Sequence, residues 1–301
     1  MTGEGYRTEV PPAVAVGAPS SNGDDGVGGQ ASDLSAFGPA SAGALALDDL
    51  REGLVQWRLG GALGWLDIRQ RYRRSILGPL WLTFSMAVMV GSLGILYGAL
   101  FQLPFDDFLP FLALGFLAWG IISMTVNDGC VVFTSSDSFI KQIKLPLSLY
   151  VYQMVWRNLI IFAHNIIVYV VVALYFQIWP GATALLALPG LVLILLNAVW
   201  VGIFFGMLCA RFRDVPQIVA SLMQVAFFLT PIIWKPELLG ERVAFAQTNP
   251  FFHFVELLRA PLLGHAPSAL SWAVVVAITI GGWALMFLFF RRFRARVAYW
   301  V

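Results

Sequence analysis

The chain has 301 residues, 59% apolar and 12% charged, whereas water-soluble domains carry roughly 45–50% apolar and about 25% charged residues. Composition therefore excludes an ordinary soluble enzyme and places most of the chain in lipid. The formal net charge of +2 says little alone, and no nucleic acid is expected as a partner.

Residues 1–45 are rich in Gly, Ala, Ser, Pro and Asp and lack a periodic apolar pattern, so a disordered cytoplasmic tail is expected. They also lack the basic start and compact apolar run of a secretory signal. Residues 46–78 are expected to form a cytoplasmic amphipathic interface region. At roughly 100° per residue, Trp65, Ile68, Tyr72 and Ile76 fall within an arc of about 80°, with Asp67, Arg71 and Arg74 on the other side. Asp67 and Arg71 have the i,i+4 spacing of a helix-surface pair. Such a helix lies in the membrane interface with its arginines toward headgroups or a partner. The plainer alternative is a basic anchor that only fixes topology. Gly78-Pro79 then ends the segment, and Pro79 suits the first residue of a new helix.

Residues 79–301 are expected to form the transmembrane domain. Six apolar stretches are long enough to cross roughly 30 Å of hydrocarbon: about 79–103, 108–128, 149–176, 183–209, 217–234 and 269–290. The fifth contains Thr230-Pro231 and is the least regular. An even number of spans puts both termini on one side, and basic residues identify that side as cytoplasmic. Arg51, Arg58, the arginines at 69–74, Lys141, Lys144, Arg211, Arg213 and the arginines at 291–296 all fall inside. Only Lys235, Arg242 and Arg259 fall outside.

The connection after the second span, TSSDSFIKQIKLPLS (134–148), reads as a short amphipathic helix. Ser136 or Asp137 would be its N-cap, Phe139, Ile140 and Ile143 its apolar residues beside Lys141 and Lys144, and Pro146 its end. Cys130 and Cys209 are the sole cysteines and both fall near the cytoplasmic face, where a structural disulfide is not expected. His164, His253 and His265 are scattered, so no metal site is expected. None of Lys141, Lys144 or Lys235 follows a glycine, so the chain holds no phosphate-binding P-loop. If ATP is used, a partner supplies the site.

These features in order resemble the transmembrane subunit of type-2 ATP-binding-cassette exporters, of the class that exports lipid-linked O-antigen, capsular and teichoic polysaccharides. The resemblance covers about residues 50–300. It rests on DIRQRYRRSILGPLW (67–81), LALGFLAWG (112–120), SSDSFIKQIKLPLS (135–148) and NPFFHFVELLRAPLLG (249–264). It implies an all-α fold of six transmembrane helices with an N-terminal interface helix and short re-entrant helices before the last span. It also implies a homodimer in the cytoplasmic membrane served by two ATP-binding-cassette subunits, which hold ATP and magnesium; this chain itself needs no cofactor. Ser136, Asp137, Phe139, Ile140, Lys141, Ile143 and Lys144 would form the coupling helix that docks on the ATPase. Leu147 stands where relatives often carry a basic residue, and the long N-terminal tail is a second departure.

Arg69, Arg71, Arg73 and Arg74, with Tyr72, are candidates for recruiting an anionic lipid-pyrophosphate headgroup, since guanidinium groups offer bidentate donors to phosphate. Trp81, Tyr97, Phe101, Phe227, Phe228 and Trp234 are candidates for a glycan conduit, because sugar C–H faces pack on aromatic rings. Between the last two spans, prolines alternate with apolar residues, which two short helices dipping into the outer leaflet would reconcile. The resemblance implies an outer gate there, to which Phe251, Phe252, Glu256 and Arg259 are assigned; Glu256 and Arg259 also have the spacing of a local pair. Within the spans, Arg157 is expected to pair with Asp128 or to snorkel, and His164 to make an interhelical hydrogen bond. The alternatives are a drug or small-molecule ABC permease and a proton-coupled secondary transporter. The latter would need a chain of ionisable groups at mid-membrane.

Overall fold

A computed structural model describes residues 39–71, 73, 78 and 80–301. It is a helical bundle, with no strand among the described residues. Two helices come first, α1 (Pro39–Val55) and α2 (Trp57–Arg71), followed by α3 (Leu80–Phe101), α4 (Phe105–Val131), the short α5 (Asp137–Gln142) and α6 (Leu147–Tyr175). Then come α7 (Ala187–Arg211), α8 (Val215–Leu229), α9 (Ala244–Gln247), α10 (Pro250–Leu262), α11 (Ala269–Phe293) and α12 (Val297–Trp300).

Local chemistry sets many of the boundaries. Gly78, at φ 56°, takes the left-handed conformation that glycine adopts without a Cβ penalty, and α3 starts two residues on. Pro104 and Pro146 stand immediately before α4 and α6, with extended ψ. Asp106 and Asp107 lie in the first turn of α4, where negative charge complements the helix dipole. Asn249 caps α10 by accepting from the Phe251 amide at 2.9 Å. Ser268 caps α11 by accepting from the Ser271 amide at 3.1 Å.

Five helical segments are long and apolar enough to span a bilayer: α3, α4, α6, α7 with its leading 3-10 turn, and α11 continuing through α12. The expected fifth span of six is shorter than its apolar run suggests. Helix α8 has 15 residues and rises about 22 Å, short of the roughly 30 Å hydrocarbon layer. Thr230, with ψ 136°, leaves the helical conformation, as a residue before proline tends to, and the apolar run 230–234 continues without helix.

Helix α4 is the hub. It packs against α3, α6, α7, α8 and α10, and its core includes Phe108, Leu112, Leu114 and Ile121. The crossing of α4 with α7 is close because glycines meet there: a Cβ on Gly129 would lie 3.1 Å from the Gly202 Cα. Small residues at such crossings let helix backbones approach in lipid. A second apolar cluster lies where α4 ends and α6 begins, joining Ala46, Phe133, Leu147, Met207, Phe290 and Val297.

The N-terminal region departs from the expected layout in three ways. Helix α1 begins at Pro39, within the segment expected to be a disordered tail; residues 1–38 lie outside the described residues. Helix α2 packs along α6, where a Cβ on Gly64 would stand 3.1 Å from the Gln153 carbonyl oxygen. The expected apolar stripe is also divided. Ile68 is buried but Trp65 is 58% exposed, because the face of α2 turned to α6 carries Gly64, Asp67 and Ile68. Tyr72 and Ile76 lie outside the described residues.

Candidate functional site

The segment 134–148 folds as a 3-10 turn, Thr134–Ser136, leading into α5. Ser136 occupies the N-cap position without a side-chain capping bond. Asp137 instead accepts from the Ser138 hydroxyl at 3.1 Å and pairs with Lys141 at 3.7 Å. The Ser138 hydrogen bonds, hydroxyl first and backbone second, lower the Asp137 carboxyl below its ordinary range, with Lys141 adding a smaller pull. Ile140 and Leu145 pack on the second apolar cluster. Phe139 and Ile143 are 58% and 48% exposed, and Lys141 and Lys144 are exposed beside them. The helix is thus anchored on one side and presents apolar and basic groups on the other. All seven expected coupling residues lie in this one element and its flanks.

The arginine segment is only partly described. Arg69 and Arg73 are exposed, and the Arg73 amide donates to the Gln70 carbonyl at 3.3 Å. Arg71 is the last residue of α2; Tyr72 and Arg74 lie outside the described residues. Asp67, expected to pair with Arg71, is engaged by α6. Its Oδ2 accepts from Gln153 Nε2 at 2.7 Å and from Arg157 Nη1 at 3.2 Å. Arg157 Nη2 reaches Asp128 at 2.9 Å, as its position in the span suggested. One guanidinium thereby joins α2, α4 and α6, and a half-buried charge is matched from two sides. His164 bonds within its own helix, to the Ile160 carbonyl at 2.8 Å.

The expected conduit aromatics form separate groups. On α3, Trp81 is exposed and lies against Phe84, and Tyr97 stacks on Phe101 with centroids 5.5 Å apart. On α8, Phe228 is exposed, whereas Phe227 turns inward to Phe116 and Trp119, 5.6 and 5.8 Å away. Trp234 donates from Nε1 to the Phe228 carbonyl at 3.1 Å. Helices α3 and α8 both pack on α4, and the ring contacts of these aromatics stay within each group or reach α4. A cavity of about 440 Å3 opens between α4, α7, α8, α10 and α11, with Val126, Phe205, Leu222, Met223 and Phe251 in its wall.

The expected gate residues all lie on α10. Arg259 is 1% exposed. Its Nε donates to Glu256 Oε1 at 2.8 Å and its Nη1 to the Pro231 carbonyl at 2.6 Å, and its guanidinium lies 3.9 Å from the Phe111 ring centroid. The local pair read from the sequence exists, and it extends to the helix break after α8. Asn249 Nδ2 secures the same break by donating to Thr230 Oγ1 at 2.9 Å. Phe251 packs edge-on against Trp119 at 5.5 Å, and Phe252 against His253 at 5.3 Å. Lys235 pairs with Asp107 across the same end of the bundle. Spacing gave no signal for the Pro231 and Phe111 contacts, which depend on how α4, α8 and α10 converge.

Long apolar helices, charges paired between helices and a small, partly apolar helix at one end define a multi-pass membrane protein. The chain belongs to the ABC-2 type transporter family, whose description residues 59–263 match. It is a transport permease subunit, and ATP hydrolysis belongs to a separate subunit. Similar proteins include an O-antigen export system permease protein RfbA of Myxococcus xanthus, 23% identical over 71% of this chain and 84% of that protein. Two proteins of the same name from Klebsiella pneumoniae are 23% and 20% identical, over 61% and 73% of this chain and 72% and 87% of theirs.

Proposed function

We propose that this permease exports a lipid-linked, O-antigen-like polysaccharide across the cytoplasmic membrane. It would act as a homodimer driven by two separate ATP-binding-cassette subunits. The named relatives favour a polysaccharide over a drug as cargo. The observation that carries the mechanism is α5, anchored through Ile140 and Leu145 yet presenting Phe139, Lys141, Ile143 and Lys144. Phe139 and Ile143 would be the apolar centre that a docking ATPase buries, with the lysines at the rim. Nucleotide-driven closure of the ATPases would move α5, and the rigid helices would pass that motion to the bundle, which requires two states with different docking contacts.

In this reading both termini are cytoplasmic, which the basic residues around α2, α5 and the end of α11 support. That orientation treats α8 with 230–234 as a sixth crossing. The aromatics of α3 and α8, separate within one copy, would line a conduit between two copies. Arg69, Arg71, Arg73 and Arg74, with Tyr72, would receive the anionic headgroup at the threshold. Helix α10, with Phe251, Phe252, Glu256 and Arg259, would gate the outer mouth. The test is to purify the chain with its ATP-binding-cassette subunit and measure hydrolysis with and without lipid-linked glycan. Stimulation by glycan, together with loss of surface glycan in a deletion strain, is expected. A complex that ignores glycan and responds to small amphiphiles would move the assignment to drug export.

A further inference from the structure

Asp49 is the buried charge for which no role has yet been given. It lies in α1, is 2% exposed, and both carboxylate oxygens are engaged. Oδ2 accepts from the Leu147 amide at 3.1 Å and from Arg294 Nε at 2.7 Å, and Oδ1 accepts from the Ser148 amide at 3.0 Å. The Ser148 hydroxyl returns a bond to the Asp49 carbonyl at 2.7 Å. Helix α6 starts behind Pro146, which makes no side-chain cap, yet the first amides of any helix need acceptors from outside it. Here the cap comes from a residue 98 positions earlier in the chain. A carboxylate in that place is further favoured by the helix dipole.

The approach of α1 to α6 is tight enough to make the cap rigid. A Cβ on Gly53 would lie 2.2 Å from Ser148 Oγ and 3.1 Å from the Leu149 amide nitrogen. Tyr152 adds a hydroxyl bond to the Leu50 carbonyl at 3.2 Å. Arg294 begins the turn that leads into α12, and α12 packs against α5. Val297 and Ala46 share the apolar cluster on which Ile140 and Leu145 rest. Asp49 therefore ties together the helix that follows α5 in the chain and the turn into the helix that flanks α5 in space. Both Asp49 and Arg294 lie outside residues 59–263, the stretch matched to the family.

We propose that Asp49 is a positioning residue that locks α5 to the start of α6, so that displacement of α5 drives α6 instead of being absorbed in the Ile143–Pro146 connection. This rests on the reading of α5 as the ATPase-docking helix. Without the carboxylate, two amides of α6 and one guanidinium lose their shared acceptor, and the connection gains freedom on the side where force arrives.

The experiment compares full-length wild-type chain with Asp49→Asn, Arg294→Gln and Glu52→Gln, each purified with its ATPase and reconstituted in vesicles containing lipid-linked glycan. The readout is glycan moved per ATP hydrolysed, beside the amount of ATPase retained. Asp49→Asn should retain the ATPase and continue to hydrolyse ATP while the ratio falls about fivefold or more, the scale of one coupling contact between sites. Arg294→Gln, at a side chain 34% exposed, should fold normally and lower the ratio about twofold. Glu52→Gln, on the exposed face of α1, should leave it unchanged. A wild-type ratio in Arg294→Gln and in any Asp49→Asn that accumulates would overturn the proposal; if Asp49→Asn does not accumulate, Arg294→Gln alone decides. Failure of the wild-type chain to bind an ATPase would instead remove the reading of α5, and that is visible before any variant is made.

Discussion

Helices α3 and α4 are adjacent in sequence, both apolar and both long enough to span a bilayer, yet 17% of the spanning stretch of α3 is buried against 67% of that of α4. Helix α4 packs against five other helices, whereas α3 leans on α4 and α6. In water such a difference would show as a change in polarity along the outer face. In lipid both faces are apolar, so hydrophobicity does not distinguish inside from outside, and packing is decided by small residues and paired polar groups. Glycines facing neighbouring backbone, and charges with partners, mark the interior helices of this protein.

Changes at interior contacts should be costly, and changes on the face of α3 turned away from α4 and α6 nearly silent. The largest loss is expected for Arg259→Ala, which removes the contacts to Glu256, Pro231 and Phe111. Breaking a buried charge pair costs about 3–5 kcal/mol, and thermal unfolding in detergent should show it as the lowest midpoint of the series. Next comes Gly190→Ala on α7, where the new Cβ would stand 2.6 Å from the Leu257 carbonyl oxygen. Overpacking of this kind costs about 1–3 kcal/mol, and the same assay should separate it from wild type. Gly91→Ala on α3 meets nothing within 4 Å. It should be neutral or raise stability by less than about 1 kcal/mol, the helix-propensity gain of alanine over glycine. If Gly91→Ala proves as damaging as Gly190→Ala in a dissociated single copy, the contrast between the two helices fails. If it weakens only the assembled form, cross-linking yield will drop and α3 will be assigned to a contact between copies.

The smallest effect is expected at Asp137. Its folded carboxyl titrates below the ordinary range, chiefly through Ser138. Its contribution is therefore present above the unfolded pKa and is lost as pH falls through the lowered folded value. Because the side chain is about half exposed and surface pairs contribute little, Asp137→Asn should leave the unfolding midpoint at neutral pH within error and flatten only the acid limb of a midpoint-against-pH curve.

Several contacts were legible because they are local or follow from topology. The Glu256 and Arg259 pair is one helical turn apart, and Arg157 with Asp128 was readable because spans two and three are antiparallel neighbours. The exposed face of α5 followed from a short amphipathic pattern ended by proline. Asp49 was not legible. Its partners lie 98, 99 and 245 positions away, and no local pattern in residues 46–78 marks Gly53 as the point where α1 meets α6. The end of α8 was misjudged for a related reason. The run 230–234 is as apolar as the helix before it, and only the backbone restriction before Pro231 marks where the helix stops.

The bridge from Arg157 to Asp67 and Asp128 also bears on how the chain is made. An arginine placed near the middle of a membrane helix costs about 2.5–3.5 kcal/mol at insertion. Both acids precede Arg157 in the chain, so they have left the ribosome by the time the arginine emerges. Its counter-charges are then waiting at the membrane, and the third long helix can be released into lipid already neutralised. The reverse order would have left an unmatched cation at the insertion site for the length of a further helix.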